Sequence, residues 1–186
     1  MPEPPGAVPQ RSAEARLEEA SLVERACRGD EEAFARLVRL AGPAAIVAAR
    51  RITRDAALAE DAAQEAFLRA FRALPRYRHD SSFTAWVRTI AVHAAIDLLR
   101  RRRPESPLFE RAARPEEEKR LEDLDLLRRA LEALSPRDRE ILLAREMEGI
   151  PDQAIADRLG MTVTSVRVRM HRARRKLTER FRGGRP

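Results

Sequence analysis

Between Val166 and Lys176 the chain sets Arg167, Arg169, His171, Arg172, Arg174, Arg175 and Lys176. Such a run of cations can hold phosphate, and a guanidinium that reaches a base edge can fork onto guanine O6 and N7. Val166, Met170, Ala173 and Leu177 recur among them at 4-3-4 spacing, so one side of a helix is apolar while the other is charged. That helix can pack against a core and still meet a phosphate-lined groove. Just upstream, Leu159-Gly160-Met161-Thr162 marks a tight turn. Glycine accepts the positive φ that ends one helix, and Thr162 offers a hydroxyl cap for the next. Leu134 to Leu177 therefore reads as two short helices, a turn and an Arg-studded third helix, the layout of a helix-turn-helix reader of duplex DNA.

Two further clusters carry polar chemistry. Asp61, Gln64 and Glu65 fall at i, i+3 and i+4, which places three acceptors on one helical face beside the apolar Phe67 and Phe71. Carboxylates so placed can receive arginine side chains of another protein bidentately. Pro75-Arg76-Tyr77-Arg78-His79-Asp80-Ser81-Ser82-Phe83 is a polar loop whose cationic, imidazole and hydroxyl groups can bind a splayed base. The helix after it ends in Arg100 to Arg103, which fits phosphate contact.

The elements that must position these groups are helical throughout. In 186 residues, 44% hydrophobic content supports one ordinary domain or two small ones, and the pattern splits the chain. Residues 1–14 hold Pro2, Pro4, Pro5, Gly6 and Pro9 and read as a disordered tail. Residues 15–103 carry three apolar faces: Phe34, Leu37 and Val38; Ala63, Phe67, Ala70, Phe71 and Leu74; and Phe83, Val87, Ile90 and Ala94. Trp86 reads as core in that register. Residues 104–123, with Pro104, Pro107, Pro115 and Glu116-Glu117-Glu118, read as a flexible, extended linker. Residues 124–182 form a second helical unit that opens on Leu124, Leu127, Leu131 and Leu134, followed by Ser135-Pro136 as cap and first helical position. Residues 183–186 are a short tail. The fold class is all-α, with two small helical domains.

Charge and composition narrow the function. Lys plus Arg number 37 against 30 Asp plus Glu, a net +7 with a sequence pI near 10.9, which favours a polyanionic partner. Cys27 stands alone and reads as helix filler, so no internal disulfide or Cys-rich zinc site is expected and a cytoplasmic location fits. No apolar run approaches the roughly 18 residues of a membrane span, and no membrane insertion is expected. His79 and His93 lack companions at ligand spacing, so they read as loop and helix-surface residues and no metal or cofactor is expected.

From Leu22 onward the chain resembles the extracytoplasmic-function class of bacterial RNA polymerase sigma factors. The resemblance rests on Arg28-Gly29-Asp30-Glu31-Glu32-Ala33-Phe34, on Asp61-Ala62-Ala63-Gln64-Glu65-Ala66-Phe67-Leu68-Arg69-Ala70, on Asp80-Ser81-Ser82-Phe83-Thr84-Ala85-Trp86, on Ile96-Asp97-Leu98-Leu99-Arg100-Arg101, and on Val166 to Arg174. It implies a sigma region-two domain, a linker and a sigma region-four domain. It also implies core RNA polymerase as partner, through the β′ clamp and the β flap, with Asp61, Gln64 and Glu65 on the clamp. Arg78, His79, Asp80, Ser81 and Ser82 would hold an unpaired minus-ten base, with the Arg88 to Arg103 helix, including Arg100 and Arg101, along the promoter backbone. Thr164, Ser165, Arg167, Val168, Arg169, His171, Arg172 and Arg175 would form the minus-35 surface; Arg167, Val168, His171 and Arg172 would face base edges, while Arg169, Arg174, Arg175 and Lys176 would meet phosphates. An anti-sigma factor is the implied regulator.

The chain departs from the family pattern at four places: His79 stands where Gly is usual, His93 where Asn is common, Pro151 at the usual Ser cap, where Asp152 is the candidate substitute, and Val168 for a small polar residue. A free-standing regulator is the alternative, since Leu134-Ser135-Pro136-Arg137-Asp138-Arg139-Glu140-Ile141-Leu142 also resembles the DNA-binding domain of LuxR-type regulators. That reading needs an upstream receiver or ligand-binding domain, which the helical pattern of residues 15–103 does not supply. An enzyme is disfavoured because no nucleophile has a paired base and no glycine loop is built to cradle phosphate.

Overall fold

The computed structural model describes residues 10–102 and 115–183, and every described regular element is helical. In chain order these are α1 (Gln10–Cys27), α2 (Glu31–Thr53), α3 (Ala56–Ala73), a 3-10 turn (Leu74–Arg76), α4 (Phe83–Arg101), α5 (Pro115–Glu132), α6 (Pro136–Glu148), α7 (Asp152–Leu159) and α8 (Val163–Gly183). Side-chain caps fix where several of them begin. Asp30 accepts from Ala33 N and Asp55 from Leu58 N, each at 2.9 Å. Ser82 accepts from Ala85 N, Ser135 from Asp138 N and Thr162 from Ser165 N, each at 3.2 Å. Each hydroxyl or carboxylate satisfies a backbone donor that the first helical turn leaves unpaired.

α1 to α4 form the first unit, and alanine sets how closely they approach. Ala41, Ala45, Ala48 and Ala49 of α2, Ala59, Ala62, Ala66 and Ala70 of α3, and Ala91, Ala94 and Ala95 of α4 are buried. Small side chains at the crossing let helices lie near the short end of the usual interaxial range. Leu37, Phe83, Val87, Val92 and Ile96 supply the bulk between them. Phe71, expected on the inner face, is half exposed at 52% and meets Phe34 edge-on, with ring centroids 5.0 Å apart.

α5 to α8 form the second unit around Leu131, Leu134, Ile141, Leu143, Ile155, Val166, Met170 and Ala173. Gly149 and Gly160 take φ of +70° and +60° at the ends of α6 and α7. Glycine has no Cβ to clash in that region, so both turns close without strain. The buried apolar residues of the two units form one cluster.

Three sequence expectations need correction. Residues 10–14 are not a disordered tail, because α1 begins at Gln10. Pro9 is the last proline before it, and residues 10–27 contain neither Pro nor Gly but many good helix formers. Residues 115–123 are not extended, since α5 begins at Pro115. A proline at the start of a helix gives up no needed N–H, and the acidic residues 116–118 suit the positive end of the helix dipole. α8 also runs to Gly183, one residue past the expected unit boundary. The proline-rich start at 1–9, the linker portion 103–114 and the tail 184–186 lie outside the described residues.

Candidate nucleic-acid interface

α8 is seated by the apolar seam expected of it. Val166, Met170 and Ala173 are buried and Leu177 is partly so. The opposite face turns Thr164, Val168, His171, Arg172 and Arg175 outward, all exposed. Ser165 is partly buried and hydrogen-bonds to Thr162 through its hydroxyl at 2.9 Å. Val168, with 44% of its surface exposed, offers a methyl contact to a groove and no hydrogen bond.

Three further cations of α8 are engaged within the protein. Arg167 donates to Asp152 at 3.2 Å, Arg169 to Asp138 at 2.9 Å, and Arg174 is ion-paired with Glu146. Arg169 and Arg174 thus hold α8 to α6, and Arg167 holds it to the start of α7. Arg167, expected at base edges, and Arg169 and Arg174, expected at phosphates, each carry an ion pair to a neighbouring helix, while Arg167 and Arg174 remain exposed. Arg172, His171 and Lys176 have no ion pair among the described residues. Pro151 caps α7 with no side-chain hydrogen bond. Asp152, the candidate substitute, is the first residue of the helix and shares its carboxylate between Arg145 and Arg167.

The loop between the 3-10 turn and α4 is built on aromatic contacts. Tyr77 stacks near Trp86 and His79, with centroids at 4.9 and 4.6 Å, and Phe83 meets Tyr77 edge-on. Burial pushes the Tyr77 hydroxyl well above its usual range, so it stays protonated and donates to the Ser81 carbonyl. Trp86 packs against the core as expected. Arg78, His79 and Asp80 are exposed at the tip. His79 holds φ +57°, a left-handed conformation in which the glycine expected at this position would meet no Cβ clash and histidine is strained. Ser82 is not free for a base. Its hydroxyl caps α4, donates to Glu140 Oε1 on α6 at 2.7 Å and receives Arg158 of α7 at 3.4 Å.

α4 continues from this loop, and its cations divide. Arg100 and Arg101 are exposed in the last turn, Arg100 lying 3.3 Å from Asp125. Arg88 contradicts the expectation of a backbone-facing helix from its first turns onward. It is fully buried, ion-paired with Glu148, and donates to the Glu140 carbonyl at 3.4 Å. His93 is half-buried rather than on the open helix surface. Its Nε2 is buried without a hydrogen-bond partner, and burial lowers its basicity.

The acidic patch on α3 remains outward. Asp61 and Gln64 are exposed, with the apolar Leu68 and Phe71 exposed one and two turns further along. Glu65 is half-buried and occupied, because Arg69 bridges it at 2.8 Å to Asp97 of α4 at 2.7 Å. Sequence reasoning missed that network and the role of Glu140. Their partners lie 28 and 58 residues apart, so local spacing carries no trace of them. The Asp30 and Asp55 caps could have been found from their position just ahead of helical runs.

Two helical units, one of them a helix-turn-helix with a cationic outward face, define a class of DNA-binding transcription proteins. Sigma-70 region 2 matches residues 37–105 and Sigma-70, region 4 matches residues 124–177. The RNA polymerase sigma-H factor of Pseudomonas aeruginosa is 37% identical over 84% of this chain and 90% of its own length. The ECF RNA polymerase sigma factor SigM of Mycobacterium tuberculosis is 32% identical over 95% of this chain and 92% of its own. The probable RNA polymerase sigma factor RfaY of Xanthomonas campestris is 37% identical over 84% of this chain, which spans 43% of that relative's length. The chain belongs to the ECF RNA polymerase sigma factors. The LuxR-type alternative is not favoured, because the region-2 match takes up the part of the chain where a receiver would have to lie.

Proposed function

We propose that this chain binds core RNA polymerase and directs it to promoters, reading the minus-35 element with α8 and opening the minus-ten element with the loop before α4, and that it catalyses no reaction itself. The observation that carries this reading is the pairing of two outward surfaces of unlike chemistry in one chain. The cationic face of α8 suits DNA, and the acidic and apolar face of α3 suits a basic protein surface.

The first unit would dock through Asp61 and Gln64 on arginines of the β′ clamp, with Leu68 and Phe71 adding apolar area beside them. The second unit would sit near the β flap with Thr164, Val168, His171, Arg172 and Arg175 in the minus-35 major groove. Arg78, His79, Asp80 and Ser81 would hold the unpaired minus-ten base, and Arg100 and Arg101 would track the adjoining phosphates. Binding the flipped form offsets a few kcal/mol of unstacking. An anti-sigma factor is the regulator this reading entails. No helix among the described residues is long and apolar enough to cross a membrane, and a cytoplasmic site of action goes with polymerase as partner.

Gel filtration of the chain mixed with core polymerase tests the reading. Co-elution as a one-to-one complex is expected. A chain that elutes apart from core while shifting promoter duplex unaided would make it a free-standing regulator instead.

A further inference from the structure

α1 carries none of the residues assigned to polymerase or promoter, yet one of its side chains ends at the loop before α4. The first turn of α4 has N–H groups that no carbonyl of the helix can take. Ser82 accepts from Ala85 N at 3.2 Å. Phe83 N donates instead to Oε1 of Glu19, at 2.7 Å and across 64 residues of chain, and the Thr84 N–H adds to the hold on the same carboxylate. α4 supplies no acid of its own here: its first turn contains none, and Ala85 stands where a capping box would place Glu or Gln. Glu19 brings a carboxylate to the positive end of the helix from another element. α1 is itself seated in the core by Leu22, Val23 and Ala26.

On its other side the loop is anchored by Tyr77, whose ring lies 4.9 Å from that of Trp86 and whose hydroxyl donates to the Ser81 carbonyl. Residues 78–81 thus run between two fixed points. His79 among them holds φ +57°, a conformation that persists only where the surroundings impose it.

We propose that Glu19 is a positioning residue for promoter opening, which holds the first turn of α4 from α1 and so keeps Arg78 to Ser81 in the shape that receives the unpaired minus-ten base. The inference rests on the assignment of that loop to minus-ten DNA. Glu19 is half-buried and occupied by backbone donors, so it acts through the loop and not on the base. Without it Phe83 N and Thr84 N lose an acceptor, the turn frays, and a base that binds must first order the loop it enters. The domain keeps its core meanwhile, because the Phe83 ring is fully buried. Arg158 and Glu140 act on the Glu19 charge in opposite directions, whereas the backbone donors are neutral. Glu19→Gln keeps an acceptor oxygen and drops the charge, and therefore separates the hydrogen bond from those charged neighbours.

The test compares the full-length parent with Glu19→Ala and Glu19→Gln, free for amide hydrogen exchange and as holoenzyme with core polymerase for the rest. The probe is a single-stranded oligonucleotide carrying the non-template minus-ten strand of a promoter mapped by run-off transcription. Glu19→Ala should quicken exchange at Phe83 and Thr84 and lower oligonucleotide affinity about fivefold, the effect of losing one helix cap. It should also depress open-complex formation on duplex promoter, while core binding and transcription from a template mismatched across the minus-ten region are kept. Glu19→Gln should stay close to the parent in every readout. Circular dichroism checks folding, and Glu19→Ser, polar but too short to reach Phe83, replaces Glu19→Ala if that variant unfolds. Unchanged oligonucleotide affinity in Glu19→Ala overturns the proposal, and so does a Glu19→Gln variant as impaired as Glu19→Ala. Equal loss on duplex and mismatched templates also overturns it, because that is what a merely structural role would give. Asp80→Gly with Ser81→Gly tests the loop itself. If that pair lowers oligonucleotide affinity while Glu19→Ala does not, the minus-ten reading stands without Glu19; if the pair changes nothing, the reading fails and the proposal falls with it.

Discussion

Replacing Arg172 with alanine separates base reading from phosphate holding on α8. Arg172 lies on the outward face, exposed, with no ion pair among the described residues, so its removal strands no partner inside the protein. Stability should stay within about 0.5 kcal/mol of the parent, as is usual for surface changes away from special features. A guanidinium forked onto guanine is worth about 1 to 3 kcal/mol of discrimination. At about 1.4 kcal/mol per factor of ten, that is a loss of roughly 5- to 150-fold on a matched minus-35 element. Lys176, exposed on the flank of the same helix, is the contrast. Lys176→Ala should weaken matched and scrambled duplexes alike and lower the salt slope of binding by about 0.9. The assay is titration of holoenzyme against matched and scrambled minus-35 duplexes at several salt concentrations. Equal losses for Arg172→Ala on both duplexes would refute the division of labour drawn from the helix faces.

On α3, Asp61→Arg with Gln64→Arg should abolish co-elution with core polymerase while helicity is kept; retention of core binding would remove the clamp from that face. Glu65 is spared because its ion pair with Arg69, which also holds Asp97 of α4, supports the fold. In the loop, Asp80→Gly with Ser81→Gly should depress open-complex formation on duplex promoter yet spare transcription from a template mismatched across the minus-ten region, read by permanganate footprinting and transcript yield. Ser82 is left intact there because losing its cap would cost α4 about 1 kcal/mol. His93 is held neutral by burial, with Arg139 and Arg128 acting in the same direction and Glu132 and Asp97 against it. Its contribution to stability is therefore complete above the ordinary histidine value of 6.5 and is lost as pH falls below it. Urea midpoints for the parent should drop on acidification from about pH 8 to pH 5 more steeply than those of His93→Gln, and parallel curves would count against the burial argument.

The helices that carry the candidate surfaces are legible because their periodicity is local. Val166, Met170, Ala173 and Leu177 declare the seat of α8, Gly160 its turn, and Ser135 and Thr162 their caps. Proline misleads where the segments expected to be disordered or extended meet helices. Pro115 reads as the breaker of a helix that it in fact starts, and the prolines up to Pro9 lend their character to residues 10–14, which contain none. Side chains that look solvated by type are beyond reach of any local rule. Arg88 on α4 and Glu140 on α6 are buried, and His93 on α4 half-buried, with charged neighbours that belong to the other unit. The flanking arginines of α8 look free in sequence because their partners Asp138, Glu146 and Asp152 stand on other helices.

Run-off transcription on fragmented genomic DNA of the source organism, with core polymerase alone and with core plus the chain, tests the central claim most directly. Discrete transcripts that appear only with the chain, start at a small set of positions and vanish with Asp61→Arg/Gln64→Arg are the predicted result. A transcript pattern indistinguishable from that of core alone would contradict it.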